Sequence, residues 1–197
     1  MLLTYLDTHL LDETRLLAAT GLDAAALHAL QARRMVPQPS YRVRLAVQCE
    51  SFFGPHAEEA TPCYYAVGTP AWIDAVQALG GEDEAYALFA RRYTARLRAL
   101  DPVAQADFAA EWRSFLDGTY GLCTKSGLPE EIAAKEWATA QVARLLAEEE
   151  PDRAALAGAV DLLDAASSPF APHERARSSR HRLVDAVRAR FRLQGHE

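Results

Sequence analysis

Apolar positions along the chain fall mostly at helical spacing. Asp12 to Thr20 runs into Gly21, a residue suited to the left-handed turn that ends a helix. Asp23 then caps a second segment, Ala24 to Arg34, with Leu27 and Leu30 at helical spacing, and Pro37 and Pro39 terminate it. The period next changes to two. Tyr41, Val43, Leu45, Val47 and Cys49 alternate with Arg42, Arg44 and Gln48, the pattern of a half-buried strand. Cys63-Tyr64-Tyr65-Ala66-Val67 is a second strand candidate, and the two predict a hairpin with a long loop from Glu50 to Pro62.

Helical spacing returns at Pro70, which opens a segment through Leu79 that stops at Gly80-Gly81. Residues 82–100 place Tyr86, Phe89, Tyr93, Leu97 and Leu100 on one stripe, with Arg91, Arg92, Arg96 and Arg98 mainly off it. Asp101-Pro102 is expected to start a helix bearing Phe108, Trp112 and Phe115, broken by Gly118 and Gly121. Pro129-Glu130-Glu131 begins a long helix to about Glu149, with Glu131 and Lys135 spaced for an ion pair in the favourable order. Pro151 separates it from a helix bearing Leu156, Val160 and Leu163. Ser167-Ser168-Pro169 is a loop, and a last helix carries Leu183, Val184, Val187 and Phe191. The expected fold is mainly α. It comprises a helix-turn-helix-like module over residues 1–45, a β-hairpin over 46–69 and a helical bundle over 70–197.

Composition narrows the picture. At 197 residues the chain can bury a core without disulfides. Of its 21 basic residues only Lys125 and Lys135 are lysines, the Arg- and Ala-rich coding bias of a GC-rich bacterial genome. The net charge of −6 argues against a generic nucleic-acid binder. From His173 to Arg192, however, seven arginines stand against Glu174 and Asp185, while Glu148, Glu149, Glu150 and Asp152 form an acidic run. Solvated faces are the plainer account of both. No basic leader and no run of about 18 apolar residues occurs, so a cytoplasmic protein without a membrane span is expected. Three cysteines, an odd number, fit a reducing compartment.

Candidate chemistry centres on Cys49, His56, Cys63 and Cys123. The first three are evenly spaced across the expected hairpin, and Cys123 lies in a Gly-bounded turn, so the four could form a Cys₃His zinc site. The spacing matches no standard zinc finger, and ordinary buried thiols with a surface histidine are the plainer alternative. Four protein ligands would make the metal structural. Cys123 alone, ahead of a helix, is a candidate nucleophile with no histidine near it in sequence. Arg91, Arg92, Arg96 and Arg98 could receive an anionic ligand or an acidic partner, against the simpler option of a solvated face paired with nearby acids. Trp72, Trp112 and Trp137 are expected in the core, and Glu111, Glu130, Glu131 and Glu136 offer carboxylates that no motif pairs. Phosphate-loop, dinucleotide, nucleophile-elbow and zinc-protease motifs are absent.

Two resemblances add to this. Helix, Gly turn, helix, Pro and the Tyr41-Arg42-Val43 strand resemble the helix-turn-helix and wing of MerR-type regulators over about residues 10–45. The second helix offers His28, Gln31, Arg33 and Arg34 among many alanines, and residues 1–45 hold five arginines against four acids, too even a balance for phosphate binding. The module is therefore expected to serve packing or protein contact. Further, Pro39-Ser40-Tyr41-Arg42-Val43, Ser51-Phe52-Phe53-Gly54, Asp117-Gly118-Thr119-Tyr120-Gly121-Leu122-Cys123 and Pro129-Glu130-Glu131-Ile132-Ala133-Ala134-Lys135-Glu136 together are similar to an uncharacterised bacterial family labelled as natural-product biosynthesis proteins. That resemblance implies an accessory or catalytic role in such a pathway, with a small molecule or a pathway protein as partner, and assigns no residue a role. A ligand-responsive regulator and a protein-interaction scaffold are the alternatives.

Overall fold

The computed structural model of the chain describes residues 1–193 and is mostly helical, with a small antiparallel sheet. Helix α1 (Leu2–His9) leads into a short strand, β1 (Leu10–Asp12), and then into α2 (Glu13–Thr20) and α3 (Ala24–Ala32). Asp12 and Asp23 cap α2 and α3 by accepting from Arg15 N at 2.7 Å and Ala26 N at 2.8 Å. Gly21 takes φ 69° between them, where any side chain would be strained.

The expected single strand from Tyr41 to Cys49 is two strands. Tyr41–Arg42 (β2) pairs with Cys63–Ala66 (β5), Tyr41 opposite Tyr64 and Arg42 opposite Cys63, and β5 also pairs with β1. The sheet order is β1-β5-β2. The segment expected as a loop from Glu50 to Pro62 instead completes a second hairpin, in which β4 (Gly54–Ala60) pairs with β3 (Leu45–Ser51), turning at Phe52-Phe53. Its alternation is not the mark of a buried face: Cys49 is exposed and Val47 is 46% exposed. Alternation reports strand geometry, and among the described residues no element buries the apolar side of β3.

Helices follow: α4 (Thr69–Val76), α5 (Glu82–Leu100), α6 (Phe108–Leu116), α7 (Thr119–Cys123), α8 (Pro129–Leu146) and α9 (Arg153–Ala166). α6 starts at Phe108 rather than at the Asp101-Pro102 signal, because Asp107 provides the cap, accepting from Ala109 N and Ala110 N at 3.1 Å. Gly118, at φ 76°, ends α6, but Gly121 lies inside α7 rather than breaking a helix. A Cβ on Gly121 would collide with Ser40 Oγ, so glycine lets α7 sit directly on the sheet.

One apolar core joins Leu16, Leu27, Met35 and Tyr65 to Trp72, Phe89, Trp112, Phe115 and Ile132. Trp112 stacks on Phe115 with centroids 5.4 Å apart, and Phe89 lies 5.1 Å from the same ring. A second core gathers Val142, Leu156, Val160, Leu163, Val184 and Val187 from α8, α9 and the C-terminal helix. That last helix, regular by its sequence pattern, is continuous over residues 179–191 but contains a π turn at His181–Asp185 before α10 (Ala186–Phe191).

Candidate functional site

The sequence-expected residues stand on separate elements. Cys49 and His56 face each other across the β3–β4 hairpin, as directly opposed residues of an antiparallel pair do. Cys63 lies on β5, where Arg42 Nη1 approaches its sulfur at 3.7 Å. Cys123 ends α7, against Lys135 of α8. Among the described residues no three His, Cys, Asp or Glu side chains gather as a metal ion needs. Burial pushes the Cys123 thiol up in pKa, outweighing Lys135, which is opposite to what activates a nucleophile.

The carboxylates left unpaired in sequence find partners. Glu131, spaced for Lys135, instead accepts from Ser126 N at 2.6 Å and Ser126 Oγ at 2.7 Å, closing the turn into α8. Lys135 is buried and bonds Glu136 at 3.1 Å. Tyr120 donates to Glu111. Burial raises the Glu111 pKa and the charge of Glu136 adds to it, against the Tyr120 bond and Lys135. Arg92 grips Glu130 through two bonds of 2.6 and 2.9 Å and lies over Trp72, so this member of the arginine face ties α5 to α8. Arg33 and Arg34 are also engaged, on Gly80 O at 2.7 Å and Glu82 at 2.7 Å.

The best-formed cavity lies elsewhere. It has a volume of about 580 Å³, within the ~300–1,000 Å³ of small-molecule sites. The loop after α7 and the loop after α9 form its floor: Thr124 bridges Ser167, Lys125 N donates to Ala166 O at 3.2 Å, and Ser168 N donates to Cys123 O at 3.2 Å. Pro169 prevents α9 from continuing and helps fix this loop. Tyr5 and His9 of α1 form one wall, with ring centroids 4.8 Å apart.

The opposite wall is an ion-pair network. Asp161 and Asp164, three apart on α9, share a face. Arg188 donates to Asp161 at 2.7 Å and to Asp164 at 2.6 Å, and Arg180 pairs with Asp164 from the other side. Arg188 follows Arg180 by eight positions, which on an unbroken α-helix would set the two about 80° apart at ~100° per residue. The π turn between them absorbs one extra residue, so both point to the same acids. Burial works against the charged form of Asp164, but the Arg188 bond and the two guanidinium charges outweigh it and hold its pKa below 3.8.

Three buried polar atoms of cavity-lining residues have no hydrogen-bond partner among the described residues: Ser167 Oγ, Arg180 Nε and Arg188 Nε. Sequence reasoning misses this site. Its signal is an Asp-x-x-Asp pair on α9 and a dense arginine run, but such a run reads as a solvated face, and the π turn that aligns two of its members leaves no mark in periodicity.

Comparison with known proteins gives limited company. No curated protein and no solved structure matches the chain. The description of the family that matches mentions neither natural-product biosynthesis nor MerR regulators. The matched stretch runs from α5 through Arg192 and so contains the floor and the ion-pair wall of the cavity, but not Tyr5 and His9. The match covers residues 85–192, more than half of the chain, and the protein is therefore a member of the family of unknown function DUF6058.

Proposed function

We propose that this protein is a small-molecule-binding component of a bacterial natural-product pathway, with its ligand held between α1 and the helical half. The observation that carries the binding role is the cavity itself: about 580 Å³, walled by Tyr5 and His9 on one side and by ordered ion pairs on the other. A pocket with few convergent polar groups at a seam between packed units is the usual setting for a ligand. The pathway setting rests on the resemblance of the strings around Ser51 to Gly54, Asp117 to Cys123 and Pro129 to Glu136. Residues 1–45, 46–69 and 70–197 then act as a helix-turn-helix-like packing module, a projecting hairpin and a ligand-binding helical bundle. This reading does not call on a metal: Cys49 and His56 lie on the β3–β4 hairpin, Cys63 on β5 and Cys123 at the end of α7.

Gene deletion with complementation tests this. Ala165 lines the cavity and is exposed, so Ala165→Trp obstructs the cavity without entering the core. Deletion should abolish or alter the pathway product, wild type should restore it, and Ala165→Trp should not. An unchanged product after deletion contradicts the proposal.

One observation favours a second role, that of a ligand-responsive regulator. The order α1, β1, α2, α3, β2, hairpin, β5 follows a helix-turn-helix with a wing-like hairpin, and α1 also walls the cavity. Against it, α3 exposes Ala25, His28, Ala29 and Ala32, and the two arginines that follow it are already engaged. A gel shift that responds to Arg33→Ala with Arg34→Ala would support regulation, and no shift in either protein would remove it.

A further inference from the structure

We infer that the cavity selects an oxyanion, a carboxylate or phosphate group, through Lys125, Arg180, Arg188 and Ser167. This rests on the binding role proposed above and adds the class of ligand. The charges decide the sign. Asp161 and Asp164 are engaged by Arg180 and Arg188, so these four groups balance. Lys125 lines the same cavity, and its ammonium makes no ion pair among the described residues, which leaves the lining side chains one positive charge in excess.

The unpartnered atoms decide the kind of group. Arg180 Nε and Arg188 Nε are donors only, and a serine hydroxyl also donates. Ser167 lines the cavity and is buried, and its hydroxyl has no hydrogen-bond partner among the described residues. A group with several acceptor oxygens and a negative charge answers both features, and charge-assisted bonds from guanidinium are the strong ones. An ammonium ligand meets neither, because it brings more donors and its natural partners, the two aspartates, are already bonded. The ion pairs hold both guanidiniums in place before the ligand arrives, which lowers the ordering cost of binding.

The test is a ¹⁵N NMR titration of the full chain, read at the amides of Tyr5, Thr124 and Ser168, with inorganic phosphate, succinate and the neutral succinamide. Phosphate or succinate should shift these amides while succinamide does not. Response to phosphate alone identifies a phosphoryl ligand, and response to succinate alone a carboxylate. Lys125→Ala should weaken the response at least tenfold and Lys125→Arg should largely retain it. Ser167→Ala, which removes the unpartnered hydroxyl, should weaken it severalfold. Succinamide binding as well as succinate would overturn the oxyanion assignment and leave the cavity's binding role standing. No response to any of the three would overturn both.

Discussion

At the scale of single residues, the chain concentrates its ionisable groups in two places with opposite consequences for pH. Around Lys135, burial opposes the charge, yet Cys123, Glu136 and Glu111 outweigh it and keep the ammonium charged. Glu111 is the weak point, because burial raises its pKa. A carboxyl whose pKa rises on folding binds its proton more tightly in the folded state. It therefore adds stability at acidic pH and gives it up as pH climbs above the ordinary 4.5. Glu111→Gln keeps an acceptor for Tyr120 without the charge, so denaturant titrations should show it gaining on wild type as pH rises towards neutrality. Asp164 runs the other way. Its depressed pKa contributes stability above 3.8 that is lost as pH falls through and below that value. Asp164→Asn should cost about 1.5–3 kcal/mol at neutral pH, as charged hydrogen bonds do, and the deficit should shrink in acid. Neither cluster is legible in sequence, where Glu131 is spaced as the natural partner of Lys135. Ser126 claims Glu131 instead, because unpaired amides at a helix start compete for a carboxylate. The separation of Cys49, Cys63 and Cys123 also carries an expectation: protein purified without added zinc should hold well under one equivalent by mass spectrometry. One equivalent that disappears in Cys49→Ser would reinstate the Cys/His site.

At the scale of elements, helices are readable because their signals are local. Asp12 and Asp23 lead into α2 and α3 and Pro129 opens α8 where the sequence marks them, whereas α6 and α9 take their N-caps from Asp107 and Asp152. Asp152→Ala should lower stability by about 1 kcal/mol through lost bonds to Ala154 N and Ala155 N. Strands are readable in type but not in partnership. Alternation in Leu45 to Cys49 suggests a half-buried face, while Cys63 to Ala66 is the strand that actually reaches the core, through Tyr64 and Tyr65. The β3–β4 hairpin buries little, and Phe52 and Phe53 at its tip are 97% and 96% exposed. Replacing both by Ser should leave the unfolding free energy within about 0.5 kcal/mol of wild type, because surface changes away from packing do little. By contrast, Phe89→Ala, which opens the aromatic cluster with Trp112 and Phe115, should cost about 3–5 kcal/mol.

At the scale of the whole molecule, the sequence marks modules where the structure builds shared cores. Leu16, Leu27 and Tyr65 pack with Phe89 and Ile132 in one cluster, so the N-terminal elements and the helices of the second half hold each other in place. The mainly helical character is legible because helical periodicity dominates the chain. The cavity is not, because it joins Tyr5, Lys125, Asp164 and Arg188, residues far apart in sequence, through loop pairing and a π turn that no local pattern announces. Its position between α1 and the family-matched helices is what makes ligand binding the central claim. The most direct measurement is affinity selection: the purified protein is mixed with a small-molecule extract of the organism that encodes it, separated by size exclusion, and its co-eluting compounds identified by mass spectrometry. The account predicts at least one small anionic compound that elutes with wild type and is lost with Ala165→Trp and with Lys125→Ala. An empty wild-type fraction, or the same compounds retained by Ala165→Trp, would contradict it.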